Sequence, residues 1–216
     1  MATHTGTGRT ARPHSVGGAV QRTAPQRTAP QRTARQADLL TRLVALVTGQ
    51  GFATFTLDEL AARLSCSKTT LYALAPSKPE LVVTAVKEFF RVATVEVESA
   101  VVGEDDAARR VVAYLRAVGV ALTPLSRRFM DDLAGFGPAA AVYRDNTAYA
   151  AVRIREMLVV GIRAGALRPV NADFVAEMIA STMFEIQRGE IFERLELTDA
   201  QAYDELATFV VETLTV

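Results

Sequence analysis

Between Thr56 and Lys78 the sequence gathers the side chains best suited to hold a polyanion: Thr56, Lys68, Thr69, Thr70, Tyr72 and Lys78. Their two ammonium groups can neutralise phosphates, and their four hydroxyls can donate to phosphate oxygens or to base edges. The residue types of catalysis are scarcer. Both histidines, His4 and His14, lie near the N-terminus, and no G-x-S-x-G element or phosphate loop occurs. The most suggestive acid pair, Asp131-Asp132, reads as a solvated helix face. A single cysteine, Cys66, excludes an intrachain disulfide and a thiolate-rich metal site, and it reads as a small packing residue. No metal, cofactor or enzymatic activity is expected.

The stretch TFTLDELAARLSCSKTTLYALAPSKPEL, Thr54 to Leu81, has to position those groups. Thr56 and Glu59 form a capping box ahead of Leu57, Leu60, Ala61 and Leu64, which recur at helical spacing. Ser65-Cys66-Ser67 breaks that pattern. Ser67 then caps a second short helix, Lys68 to about Leu74, with Leu71 and Leu74 inward and Lys68, Thr69, Thr70 and Tyr72 outward. Ser77-Lys78-Pro79-Glu80 is a second capping box and starts a third helix. Two short helices joined by a tight turn, the second donor-rich outside, describe a helix-turn-helix that reads DNA through the second helix.

In order and spacing, several groups of residues resemble the N-terminal DNA-binding domain of the TetR family, the tetracycline-repressor-like transcriptional regulators. They are Phe55-Thr56, Asp58-Glu59-Leu60-Ala61, Ser67-Lys68, Thr70-Leu71-Tyr72, Pro76-Ser77-Lys78 and Glu80-Leu81. The resemblance is strong over residues 36–90 and architectural beyond. One departure stands out. The family usually carries aromatic residues where this chain has Leu74 and Ala75, and often histidine at Ala73. The resemblance implies an all-α fold and double-stranded operator DNA as partner, with Thr56, Tyr72 and Lys78 on phosphates and Lys68, Thr69 and Thr70 toward the bases.

Charge is distributed to match one DNA-facing end. The net charge is zero, but the residues before Asp38 hold six arginines and no acid, whereas those from Val92 onward hold twelve arginines against nineteen acids. Residues 1–33 read as a disordered basic arm, in which GlnArgThrAlaPro recurs at 21–25 and 26–30. Free, or laid along DNA phosphates, are both open to it. Residues 34–80 read as the helix-turn-helix domain, with a first helix from Gln36 to Gly51 and with Phe52 and Phe55 filling its core. Residues 81–216 read as a larger helical domain: one helix from Leu81 to about Val101, then helices near 105–123, 125–135, 138–164, 171–194 and 199–215.

In that second domain Tyr114, Phe129, Met130, Phe136, Tyr143, Met157, Met178 and Phe184 supply large apolar groups and a few hydroxyls. Such a set suits an ordinary core or a pocket between helices. The resemblance implies the pocket, for an apolar or amphipathic effector. Arg153 and Arg155 face either an acidic ligand or acidic neighbours. Val175, Ile179, Thr182 and Ile186 recur on one of the last helices, and Leu206, Phe209, Val210 and Leu214 on the other. The resemblance implies that these form a homodimer interface, placing two reading heads on a pseudo-palindromic site. No apolar run approaches a membrane span and no signal-peptide core is present, so no membrane partner and a cytoplasmic location are expected. The rival reading is a helical small-molecule-binding or adaptor protein whose degenerate head no longer reads DNA.

Overall fold

The computed structural model describes residues 32–189 and 194–215. The repeats of the expected basic arm therefore lie outside the described residues. Its last position, Thr33, belongs to the fold. The Thr33 hydroxyl oxygen accepts the Gln36 N–H at 3.3 Å and Gln36 Oε1 accepts the Thr33 N–H at 2.9 Å, which opens α1 (Ala34–Gln50). This capping box starts the helix two residues earlier than its apolar periodicity indicates.

Thr56 and Glu59 cap α2 (Leu57–Arg63) in the same reciprocal way. Ser65, at φ +50, makes the turn, and Ser67 caps α3 (Lys68–Tyr72) by accepting the Thr70 N–H. Ser77 then caps α4 (Lys78–Ala100), with Pro79 in its first turn. Leu39, Leu43 and Val47 of α1 bury with Leu60, Leu64 and Leu71 and with Leu81 and Val82 of α4. Cys66 packs half-buried against this core, and burial pushes its thiol pKa up, as suits a packing residue.

Five further helices follow: α5 (Ala107–Leu122), α6 (Arg127–Ala134), α7 (Gly137–Arg163), α8 (Ala172–Arg188) and α9 (Asp199–Leu214). Asp106, Ser126, Asn171 and Thr198 each accept the N–H three residues on. The helix expected over 171–194 stops at Arg188. Gly189 takes φ +82, and a Cβ there would overlap the Arg127 guanidinium. Arg127 uses that space to donate to the Gln187 carbonyl at 3.1 Å and to pair with Asp199 at 3.0 Å, tying α6 to the end of α8 and the start of α9. Residues 190–193, the tail of the expected helix, lie outside the described residues.

Helix α9 crosses α5 closely because Gly119 has no side chain: a Cβ there would lie 2.9 Å from the Tyr203 ring. Among the described residues no strand forms, and the extended pairing is a single bridge between Leu167 and Thr215. The fold is all-α. One hydrophobic core runs from Leu39 in α1 to Leu214 in α9, and α4 contributes to it along most of its length. No described helix is long and apolar enough to cross a membrane.

Candidate functional site

Of the six residues expected to meet DNA, four lie on α3, Thr56 caps α2 and Lys78 opens α4. Leu71 is wholly buried beneath α3, which turns Lys68, Thr69 and Tyr72 outward. The Thr69 and Tyr72 side chains hold no hydrogen bond within the described residues, and Tyr72 is 46% exposed. The other four are engaged. The Lys68 ammonium lies 2.8 Å from the Asp58 carboxylate, whose hydrogen bond raises the lysine pKa. Lys78 Nζ donates to the Ala53 carbonyl at 3.1 Å. Thr70 Oγ1 sits 2.8 Å from Ser67 Oγ, and the Thr56 hydroxyl serves its helix cap. The Lys68–Asp58 pair is exposed and screened by solvent, so it contributes little to stability and leaves Lys68 able to exchange Asp58 for another anion.

Behind these helices the loop leaving α1 docks on α6. The Thr48 carbonyl, one of the four left without an intrahelical partner at the end of α1, accepts the Ser126 N–H at 2.9 Å. One oxygen of Asp132 accepts two backbone donors, from Phe52 at 2.5 Å and Ala53 at 2.8 Å. Arg128 Nη2 donates to Thr54 Oγ1 at 2.8 Å. The Phe52 ring meets Phe129 and Phe136 edge-on at 6.0 and 5.9 Å. Two expectations change here. Phe52 packs on α6 and α7 as well as within the first three helices, and Asp132 is a half-buried hydrogen-bond acceptor where a solvated acid was expected; Asp131 alone is exposed. Nothing in sequence pairs Asp132 with a loop some eighty residues earlier.

A second polar group lies further along α4. Glu98 accepts from Arg153 Nε on one oxygen at 2.7 Å and from Arg153 Nη2 on the other at 2.8 Å. Tyr149 adds a hydroxyl donor to Oε1 at 3.0 Å, and Arg153 also bonds Glu156. The Arg153 hydrogen bonds hold the Glu98 carboxyl below the usual carboxylate range. Arg155 pairs with Asp173, so both arginines meet acidic neighbours.

Glu98 also lines a cavity of about 40 Å³ between α4, α5, α7, α8 and α9. Of the eight residues expected in a pocket, Tyr114, Tyr143 and Phe184 line it, joined by Phe90, Tyr149 and Tyr203. The other five lie elsewhere. Phe129 is fully buried at the α6 junction, Phe136 lines a recess beside Lys78, and Met130 borders a more open cleft next to Tyr143. Met157 is buried in the α7 core away from the cavity. Met178 is on the opposite face of α8, 45% exposed. Apolar size selected all eight, but helix rotation assigns each to core, cavity or surface.

That outer face of α8 and α9 forms an open apolar groove of about 420 Å³. Val175, Ile179, Thr182, Leu206, Phe209, Val210 and Leu214 line it, as does Met178. Ile186 does not: at 0% exposure it belongs to the core, one turn beyond the face that opens outward. Phe209 and Phe174 stand 59% and 65% exposed, and Phe174 is an addition to the expected surface. Among the described residues no cluster of metal-ligating side chains occurs.

No family model and no curated protein matches the chain. Solved structures do. A transcriptional regulator from Saccharomonospora viridis in complex with choline superposes at a TM-score of 0.71, with 15% identity over 84% of this chain and 98% of that one. A TetR transcriptional regulator from Chloroflexus aurantiacus gives 0.66, with 21% identity over 85% of this chain and all of its own. A ketosteroid transcriptional regulator of Mycobacterium tuberculosis gives 0.58, with 20% identity over 88% and 100%. From α1 to α9, the chain has the all-α fold of TetR-family transcriptional regulators.

Proposed function

We propose that the protein is a one-component transcriptional regulator, acting as a repressor. It binds a pseudo-palindromic operator as a homodimer and leaves it when an apolar or amphipathic small molecule occupies the interior cavity. The observation that carries this reading is the course of α4. Its first turn holds Lys78 against the loop that enters the reading helices, while its second half supplies Phe90, Val97 and Glu98 to the cavity wall. A ligand that favours one placement of this helix thereby favours one spacing of the two heads, by no more than its difference in affinity for the two arrangements. Residues 34–80 act as the DNA-reading domain, with residues 1–33 as a basic arm, and residues 81–216 as the effector and dimerisation domain. Exposed Phe209 and Met178 fit burial against a second copy. The names of the structural neighbours, one holding choline and one called a ketosteroid regulator, support a small-molecule effector.

The reading is tested by gel shift against DNA upstream of the protein's own gene, across a salt series with non-specific competitor. The expected result is a competitor-resistant complex at dimer stoichiometry. Lys78→Ala weakens all DNA alike and lowers the salt slope, whereas Thr69→Ala changes sequence preference. A specific observation favours one rival, a helical ligand-binding or adaptor protein. Both lysines of the head are engaged intramolecularly, and Ala73 and Leu74 offer no ring to the DNA backbone. Weak binding that vanishes equally on every sequence as salt rises overturns the regulator reading and leaves that rival.

A further inference from the structure

The interior cavity has an electrostatic character as well as a shape. Its wall is aromatic on several sides. Tyr143 packs between Phe90, at 5.6 Å between ring centroids, and Phe184, at 5.8 Å, and the Tyr114, Tyr149 and Tyr203 side chains complete the enclosure. Glu98 is the charged side chain among the lining residues. Behind it stand Arg153 and Glu156, so the group totals two carboxylates against one guanidinium and carries a net negative charge.

Glu98 also keeps bonding capacity in reserve. Its Oε1 takes two donors, from Arg153 and Tyr149, and its Oε2 takes one. A carboxylate has about four acceptor sites, which leaves one unfilled. Tyr114 and Tyr143 line the cavity at 2% and 5% exposure, yet neither hydroxyl has a hydrogen bond within the described residues, and neither oxygen is fully buried. Burial raises both tyrosine pKa values, so these hydroxyls stay neutral. Among the described residues no cationic side chain lines the space to receive an acid.

We infer that the cavity selects a compact organic cation, a quaternary or tertiary ammonium group, seated among the Phe90, Tyr143 and Phe184 rings and balanced by Glu98. This rests on the reading of the cavity as the effector site. Ring faces attract cations by their quadrupole, and the attraction grows when the cation is desolvated. Glu98 supplies the long-range part, and the Tyr114 hydroxyl is available to a polar substituent on the ligand. At about 40 Å³ the cavity suits a head group of a few heavy atoms, and its rim at Glu98 and Tyr149 is open to solvent.

Calorimetric titration of the full-length protein with three probes of nearly the same shape separates charge from size. The probes are tetramethylammonium, neopentyl alcohol and pivalate, with sodium chloride matching ionic strength. Tetramethylammonium is expected to bind about tenfold or more tightly than the alcohol, and pivalate not at all. Glu98→Gln is expected to weaken the ammonium about tenfold while leaving the alcohol unchanged. Tyr143→Phe keeps the ring and retains ammonium binding, whereas Tyr143→Leu loses it. If the alcohol or pivalate binds as well as the ammonium, or if Tyr143→Leu binds it normally, the cation assignment falls while the effector cavity stands. If no probe of any charge binds, the cavity reading falls with it.

Discussion

Two polar clusters flank α4, and they differ in what they leave open. At the junction with α6, the Thr48 carbonyl, the Phe52 and Ala53 N–H groups and the Asp132 carboxylate are paired with one another or with α6, and the Phe52 ring packs edge-on against Phe129 and Phe136 beside them. Around the cavity, Glu98 is only partly filled and the Tyr114 hydroxyl has no hydrogen-bond partner among the described residues. A junction that must carry position benefits from filled donors, since an opened buried hydrogen bond costs more than it returns. On the proposed reading, a cavity that receives a ligand benefits from unfilled ones. The contrast suggests that substitutions at the junction show in stability, and those at the cavity wall show in binding.

The largest effect should come from Phe129→Ala. This ring is fully buried and meets Phe52 across the junction, so its loss is expected to cost about 3–5 kcal/mol in urea unfolding. Loss below about 1 kcal/mol would show that α6 collapses freely and that the junction is not tightly packed.

Asp132 divides packing from hydrogen bonding. Asp132→Ala strands two backbone donors, one of them part-buried, and is expected to cost about 1–3 kcal/mol. Asp132→Asn keeps a carbonyl oxygen able to accept from both, so it should recover most of that loss in the same unfolding measurement. Equal losses from the two variants would make the negative charge, and not the acceptor, the important property.

On the cavity side, acidification gives a smaller and pH-limited change. The folded-state pKa of Glu98 is depressed, chiefly by the Arg153 hydrogen bonds. Its ionised form therefore stabilises the fold above the unfolded carboxylate pKa, and that contribution disappears as pH falls through the lower folded value. The stability gap between the native protein and Glu98→Gln should shrink in that acidic window and stay flat near neutrality. Smallest of all, Tyr114→Phe removes a hydroxyl without a hydrogen-bond partner among the described residues and should change stability by about 0.5 kcal/mol or less. A larger loss would mean that the hydroxyl is held after all and that the contrast between the clusters is overstated.

The head was largely legible in sequence because its signals are local. Thr56 with Glu59, Ser67 with Thr70 and Ser77 with Glu80 cap helices across three residues; the first is a full reciprocal box, whereas at Ser77, where a box was expected, Ser77 accepts the Glu80 N–H without the return bond. The pocket was legible only in part. Tyr114, Tyr143 and Phe184 line it, but Met157 and Met178 have the same apolar character and lie in the core and on the surface. Glu98 gave no sign of its role, because its partner is fifty-five residues away on α7.

The sequence by itself determined the helix inventory, the turn between α2 and α3, and the polar face of α3. These follow from caps, periodicity and backbone preference within a few residues. Only the tertiary structure decided that Asp132 holds the loop after α1, that α8 ends at Gly189 to admit Arg127, and that Glu98 faces a ring-lined cavity. The physical reason is the same in each case. Which face of a helix meets which neighbour depends on rotation and crossing set by the whole core, and a shift of one residue turns a side chain about 100° away.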